Sequence, residues 1–142
     1  MDDKAYGYAI KLLAVRDYSV GRMRARLEKR FGGDPGDVID RLLSQRFLDD
    51  RRFAESFVRV KKSRGRLRLR AELIRNGIEE LIADDVLALE NWPSLVDVLG
   101  AKMKGLKLVP PISLGEATRL SSFLLRLGYD EEEVREELEK LI

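Results

Sequence analysis

The chain of 142 residues contains no histidine and no cysteine, the two residue types that most often supply nucleophilic systems and transition-metal ligands. A Ser-His-Asp or Cys-His nucleophile and a zinc site with histidine or thiolate ligands are therefore excluded. The sequence also lacks glycine-rich phosphate loops of the G-x-x-x-x-G-K-[ST] and G-x-G-x-x-G types. The chemistry left to the chain is that of carboxylates, lysine, tyrosine and cationic surfaces.

Two pairs of adjacent carboxylates, Asp49-Asp50 and Asp84-Asp85, are the first candidates for metal chemistry. Adjacent residues on a helix point in different directions, which does not suit a shared metal ion. Asp49 and Asp50 also stand where a helix is predicted to begin, and aspartate is favoured there as a cap. We interpret both pairs as structural. The sequence therefore predicts no catalytic residue, no metal and no cofactor, and we expect that the protein is not an enzyme.

Cationic side chains give the stronger signal. Residues 51–76 carry ten Lys and Arg against two acids, Glu55 and Glu72, in a chain whose net charge is +2. A solvated helix face would interleave acids for i,i+4 pairing, whereas such a cluster of bases repels itself until an anion or an acidic protein surface meets it. We therefore predict a binding surface made by Lys61, Lys62, Arg64, Arg66, Arg68, Arg70 and Arg75, supported by Arg52 and Arg59.

The predicted contact is with phosphates rather than with bases. The aromatic residues of this stretch, Phe53 and Phe57, have the spacing of core residues and do not form a stacking platform. Phosphate contacts are salt-sensitive and nearly independent of sequence. A second basic group lies earlier in the chain and consists of Arg22, Arg24, Arg26, Lys29 and Arg30. It is either a solvated face or, through Arg22 and Arg26, a continuation of the first group.

Helical spacing of apolar residues dominates the chain and predicts nine helices. Ser19 is the expected cap of the second helix, and Asp34 is the expected cap of the third, with Pro35 in its first turn. Leu48-Asp49-Asp50 should start the fourth. Asp130 should open the ninth. The sixth helix should bury Ile82, Val86 and Leu89, and Trp92 is expected to be a boundary core residue.

Three pairs of apolar residues align when the chain is compared with itself: Met23 and Leu27, Leu69 and Leu73, Leu120 and Leu124. A break point follows each pair, at Phe31 before Gly32, at Gly77 and at Gly128. This phase predicts an all-α, elongated array of three tandem three-helix repeats. The predicted repeats are residues 1–46, 47–91 and 92–142, and the second carries the basic centre.

The repeats and the basic centre resemble the RecX family of bacterial regulators of the RecA recombinase. The resemblance covers essentially the whole chain and is densest at Leu48-Asp49-Asp50-Arg51-Arg52-Phe53-Ala54, which matches the family's leucine, two acids, phenylalanine and alanine. It continues at Gly65, Leu67-Arg68-Leu69, Glu72-Leu73 and Gly77-Ile78. Tyr18-Ser19 before the second helix also fits.

The chain departs from the family's pattern at three places. Arg46-Phe47 stands where the family usually has Gly-Tyr, and Arg22 stands where it usually has Glu three residues after the cap serine. A reciprocal capping box therefore cannot form at Ser19. The third repeat is the least family-like, with Trp92-Pro93 at its entry and the loop around Pro110-Pro111.

The resemblance implies a non-enzymatic inhibitor that binds RecA on single-stranded DNA. Such proteins lie in the groove of the filament and reduce ATP hydrolysis, strand exchange and co-protease activity, which affects homologous recombination, DNA repair and the SOS response. The implied partners are the RecA filament and the backbone of single-stranded DNA. We expect a monomer. We also expect a cytoplasmic location, because the sequence has no signal peptide and no apolar run long enough to cross a membrane.

Two other functions are compatible with helical repeats. A helix-turn-helix transcription regulator would insert a basic helix into a major groove, but it needs polar base-reading residues and usually dimerises. The basic helices here offer almost only Arg and Lys. A nuclease with carboxylate-bound metal is the weakest alternative, because the sequence has no spaced acidic cluster.

Overall fold

The computed structural model describes residues 3–142, and within this range the chain forms nine α-helices and one short 3-10 turn, with no strand. The sequence predicted this all-α class, and it is confirmed. The helices are α1 (Asp3–Val15), α2 (Val20–Phe31), α3 (Gly36–Ser44), α4 (Asp50–Lys61), α5 (Arg66–Arg75), α6 (Glu80–Leu89), α7 (Leu95–Leu106), α8 (Leu114–Arg126) and α9 (Glu131–Glu139). The 3-10 turn, Lys62–Arg64, lies between α4 and α5.

Side-chain caps fix where several helices begin. The Ser19 hydroxyl accepts a hydrogen bond from the Arg22 amide at the start of α2, as predicted. The Asp130 carboxylate accepts one from the Glu133 amide at the start of α9, also as predicted. Ser113 and Glu116 form a reciprocal capping box at α8. Each such bond satisfies an amide that has no partner inside its helix.

The three aligned apolar pairs are all in the interior. Met23, Leu27, Leu69, Leu73, Leu120 and Leu124 are each at most 1% exposed. The glycines at the three break points all have positive φ, 73° at Gly32, 87° at Gly77 and 97° at Gly128. The nine helices of the described chain thus follow the predicted order of three three-helix repeats. The boundaries at residues 46 and 91 stay predictions.

By its internal contacts the described chain divides into two compact units. The first unit comprises the residues up to Lys61 together with Arg70–Leu89. Tyr18, Met23, Leu27, Ile39 and Leu42 are among the buried residues of a core under α1, α2 and α3. In the same unit α4 packs against α6. At the contact of α2 with the end of α5, a Cβ on Gly21 would lie 3.2 Å from the Gly77 Cα, so the two backbones approach closely at this point.

The second unit comprises Lys62–Leu69 together with Glu90–Ile142. Its core is formed by α7, α8 and α9, with Leu99, Leu120, Leu124 and Val134 among the buried residues. Gly65 has a φ of 88°, and a Cβ there would lie 2.9 Å from the Leu127 Cα. The family-like glycine before α5 is therefore explained by both backbone conformation and close packing.

Two local expectations are wrong. Pro35, and not Asp34, occupies the cap position of α3, and the Asp34 carboxylate instead accepts the Gly36 amide at 2.9 Å. Leu89 is 74% exposed, because α6 turns Ala83, Val86 and Leu87 to the interior. No helix among residues 3–142 is long and apolar enough to cross a membrane.

Candidate nucleic-acid and partner interface

Three of the four paired carboxylates are held in structural contacts. Asp49 accepts the Arg52 amide at 3.1 Å, and Asp50 accepts the Val20 amide at 2.8 Å. Asp84 forms an ion pair with Arg70. Within the described range no group of three or more carboxylates is arranged to hold a metal ion. Asp49 and Asp50 therefore organise the start of α4 and its contact with α2.

Half-burial affects the Asp50 carboxyl. Desolvation raises its pKa above the ordinary value, and the negative charges of Glu79, Asp49 and Asp17 act in the same direction, while the hydrogen bond from Val20 opposes them. The pKa of Asp84 is instead lowered, chiefly because Arg70 donates a hydrogen bond to it.

The eleven predicted basic residues divide between the two units. The first unit contains Arg22, Arg26, Arg52, Arg59, Lys61, Arg70 and Arg75; the second contains Lys62, Arg64, Arg66 and Arg68. We call the set in the first unit the α2–α4–α5 basic set.

Several of these cations are engaged inside the protein. Arg70 Nε lies 2.7 Å from Asp84 Oδ1, and its second contact to that carboxylate is 3.4 Å. Arg52 donates to the backbone carbonyl of Arg46 at 2.8 Å and lies 3.6 Å from an Asp17 oxygen. Arg70 and Arg52 thus have part of their charge cancelled by carboxylates. They are weaker interface candidates than the sequence suggests.

Among the predicted interface cations of the first unit, Arg59 and Arg75 stay available. Both are exposed, and neither guanidinium has an ion-pair or hydrogen-bond partner among the described residues. The backbone carbonyl of Arg75 accepts a hydrogen bond of 2.9 Å from Arg22 Nη2. The fold therefore brings the basic group of α2 to the basic end of α5, which the sequence proposed only as a hypothesis.

The remaining predicted residue of α4 packs on an aromatic ring. Lys61 Nζ lies 4.2 Å from the centre of the Phe57 ring, and Phe57 is stacked on Phe53 with ring centres 5.9 Å apart. Both rings are half-buried. They contact each other and a cation, which leaves this pair poorly suited to base stacking.

Two of the four candidates of the second unit, Lys62 and Arg66, line a pocket. Lys62 Nζ lies 3.3 Å from Glu90 and 5.7 Å from the centre of the Trp92 ring, and Arg66 donates to the Gly128 carbonyl at 3.3 Å. Arg64 is half-buried and Arg68 is exposed. Lys62 and Arg66 line an apolar pocket of about 420 Å³ together with Trp92, Phe123, Leu127 and Tyr129. Trp92 is half-buried in this pocket wall.

The second basic group of the sequence is split by its position on α2. Arg24 points to Asp34, with 3.3 Å between Nη1 and Oδ1. Arg22, Arg26 and Lys29 instead line one pocket of about 310 Å³, because residues at these spacings share a helix face. Arg16, which the sequence analysis did not select, lines the same pocket. It lies at the end of α1, and only the tertiary fold brings it there.

Tyr8 is a further residue that sequence reasoning missed. Its hydroxyl accepts a hydrogen bond of 3.1 Å from Arg26 Nη2, and the Arg30 guanidinium lies 4.6 Å from the centre of its ring. The pKa of Tyr8 is lowered, chiefly by the hydrogen bond from Arg26, and the charges of Arg26, Arg30 and Lys29 act in the same direction. These three cations give this face of α2 a positive potential.

Comparison with known proteins places this geometry in a family. A family model described as RecX, second three-helix domain, matches residues 49–87, which include α4, α5 and most of α6. A regulatory protein RecX of Chlorobium phaeobacteroides is 33% identical over 145 residues, which cover 99% of this chain and 95% of the relative. The chain belongs to the RecX family.

Further relatives agree with the assignment. Regulatory protein RecX of Chromohalobacter salexigens is 36% identical, with 89% of this chain and 86% of the relative covered. The crystal structure of RecX from Lactobacillus salivarius has a TM-score of 0.78 to this chain at 19% identity, covering 96% of this chain and 95% of the other. At that identity the likeness establishes the fold. The relatives are named regulatory proteins, which supports a regulatory role for this family member.

The departures from the RecX pattern have structural explanations. Arg46, where the resemblance leads us to expect glycine, has a φ of 61°, a left-handed conformation that glycine adopts without strain. Arg22, where the resemblance leads us to expect the Glu of a capping box, donates a hydrogen bond from its side chain to the Arg75 carbonyl. The first departure strains the backbone, and the second adds a tertiary contact.

Proposed function

We propose that this RecX-family protein is a non-enzymatic regulator that binds RecA filaments on single-stranded DNA and inhibits RecA. The inhibited activities are ATP hydrolysis, strand exchange and co-protease activity, through which the protein modulates recombinational repair and the SOS response. The observation that carries the proposal is the meeting of two basic groups at Arg22 and Arg75 in one folded unit. Family membership supplies the class of partner.

The charge of the first unit supports contact with a polyanion. Arg59 and Arg75 keep exposed guanidinium groups, and Arg22 and Arg26 are held by a carbonyl and a phenol, which orient a cation without cancelling its charge. Cations that are oriented before binding lose less side-chain entropy when a phosphate arrives. In a RecA filament such a surface would meet phosphates of the DNA and acidic groups of the recombinase.

The contact we propose is with the DNA backbone. The rings of Phe53 and Phe57 contact each other, and the exposed candidates are Arg and Lys, which pair with phosphates without reading base sequence. Binding should therefore depend steeply on salt and only weakly on sequence. This disfavours a helix-turn-helix transcription regulator, which needs base-edge contacts in a major groove.

Inhibition is proposed to occur by occupancy. The protein fills a groove that incoming duplex DNA needs and contacts neighbouring recombinase subunits, so that each bound molecule hinders strand exchange and the subunit changes that accompany ATP hydrolysis. Such a mechanism needs no catalytic residue. The carboxylates at the helix starts serve folding in this proposal.

Binding to a preformed filament tests the proposal. Labelled single-stranded DNA is saturated with RecA and a non-hydrolysable ATP analogue, and fluorescence anisotropy follows the added protein over a series of salt concentrations. Binding to the filament that is tighter than binding to naked DNA supports the proposed partner. Tight binding to one duplex sequence together with no binding to the filament would overturn it and favour a transcription regulator.

A further inference from the structure

A pocket on α2 is lined mainly by cations. Its seven lining residues are Arg16, Tyr18, Arg22, Ala25, Arg26, Lys29 and Asn76. Four of the seven are cations and none is acidic. We call this group of residues the α2 pocket.

The cations of the α2 pocket are held by neutral groups. Arg22 donates to the Arg75 carbonyl at 2.9 Å, and Arg26 donates to the Tyr8 hydroxyl at 3.1 Å. The Arg16 guanidinium lies 4.7 Å from the centre of the Tyr18 ring. A guanidinium has five N–H donors, so a single bond to a neutral acceptor fixes its position and leaves both its charge and most of its donors for a ligand.

Carboxylates near the pocket pair with cations that do not line it. Asp34 pairs with Arg24 on the other side of α2, and Asp17, the neighbour of Arg16 in sequence, lies 3.6 Å from Arg52. Arg70, by contrast, has part of its charge neutralised by the Asp84 carboxylate. Four concentrated positive charges repel one another, and an anion bound among them relieves that repulsion.

We propose that the α2 pocket binds one backbone phosphate of a single DNA strand. The inference rests on the proposed function, because it takes DNA to be the ligand, and it adds a defined contact in the first repeat. A volume of about 310 Å³ admits a phosphate and part of its sugar. Arg16, Arg22 and Arg26 would donate hydrogen bonds to the phosphate oxygens, and Lys29 would contribute a flexible positive charge.

The affinity test compares two double variants of the full chain. Arg16→Gln/Lys29→Gln removes two pocket charges whose side chains make no tertiary hydrogen bond among the described residues. Lys11→Gln/Arg24→Gln removes two charges from the same helices outside the pocket. Both change the net charge equally, so non-specific attraction falls equally. Circular dichroism and thermal melting verify that each variant is folded.

The expected result is a loss of affinity for a short oligothymidylate of about tenfold or more in the pocket variant, because the variant removes charge-assisted hydrogen bonds to the phosphate. The slope of log affinity against log salt should also fall by about 0.7, the value for one phosphate of a single strand. The control variant should lose much less. Equal losses in the two variants would overturn the inference. If the pocket variant proves unfolded, two milder variants are compared instead. Arg16→Lys/Lys29→Arg keeps both pocket charges, whereas Lys29→Gln removes one of them.

Nuclear magnetic resonance locates the contact independently. The Nε–H signals of Arg16, Arg22 and Arg26 should shift on addition of the oligonucleotide, whereas that of Arg24 should not. Oligonucleotide binding without these shifts would overturn the proposed phosphate contact in the α2 pocket. RecA inhibition would still be tested separately, by the ATP hydrolysis assay. Inorganic phosphate at millimolar concentration is the second probe. It should displace little of the strand, and full competition would show a site for free anions instead.

Discussion

The Ser19 hydroxyl joins two elements that are far apart in the sequence, because it accepts the Arg22 amide at the start of α2 and donates to the Asn76 carbonyl at the end of α5. Ser19 is fully buried. One small side chain therefore caps a helix and holds the meeting point of the two basic groups. This relationship leads to the first prediction.

We expect Ser19→Ala to destabilise the protein by about 2 kcal/mol, of which about 1 kcal/mol is the lost cap and about 1 kcal/mol the lost bond to Asn76. Ser94→Ala is the matched control, because Ser94 caps α7 through a single bond to the Asp97 amide and is exposed. It should lose only the cap contribution. Urea unfolding of both variants measures the difference, and equal losses would show that the bond between Ser19 and Asn76 contributes nothing.

Local sequence signals predicted most of the helix starts. Ser19, Asp49 and Asp130 were assigned as starts because a short oxygen-bearing side chain next to an amphipathic stretch is sufficient evidence for a cap. Leu89 was misassigned because a short helix has more than one apolar stripe, and only packing against neighbours selects between them. The apolar pairs that predict three-helix repeats are buried, whereas the boundaries of the repeats stay predictions.

The candidate site was less predictable. Clustered charge is visible in a sequence, but the pairing of Arg70 with Asp84 or of Arg52 with Asp17 depends on tertiary distance. The same limit hid Arg16, which joins the α2 pocket from the end of α1. The sequence could therefore identify the basic segments and could not rank their members.

Arg46 gives a prediction about backbone strain. A left-handed conformation costs a side-chain-bearing residue about 1–2 kcal/mol, and glycine avoids this while adding some entropy to the unfolded chain. Arg46→Gly should therefore stabilise the protein by up to about 1 kcal/mol. Arg46→Ala removes the same side chain but keeps the Cβ, so it should give no such gain. Stabilisation of both variants in urea unfolding would assign the effect to the side chain instead of the backbone.

Asp84 gives a prediction about pH. Its pKa is lowered in the folded protein by the hydrogen bond from Arg70, so the folded protein binds this proton less readily than the unfolded chain does. The ionised carboxylate adds stability above the ordinary aspartate pKa of about 4, and the addition is lost as the pH falls through the lowered value. Asp84→Asn should therefore be less stable than the unmodified protein at neutral pH, and the gap should close in acid.

Asp50 provides the opposite case for the same measurement. Burial raises its pKa, so its contribution is fully present below the ordinary aspartate range and is lost as the pH rises through the raised value. The stability of the unmodified protein relative to Asp50→Asn should thus increase as the pH falls. Urea unfolding over a pH series measures both trends. Parallel trends for the two variants would contradict the assigned causes.

DNA-dependent ATP hydrolysis by RecA tests most directly whether the protein inhibits RecA through the α2–α4–α5 basic set of its first unit. The assay titrates the unmodified protein, Arg59→Glu/Arg75→Glu, and the control Lys104→Glu/Arg119→Glu, which makes the same charge change at exposed positions of the second unit. We predict inhibition at less than one molecule per recombinase subunit for the unmodified protein and the control, and a requirement for about tenfold more of the first variant, as expected for loss of about 1.4 kcal/mol of binding. Absence of inhibition by the unmodified protein, or equal inhibition by both variants, would contradict the account.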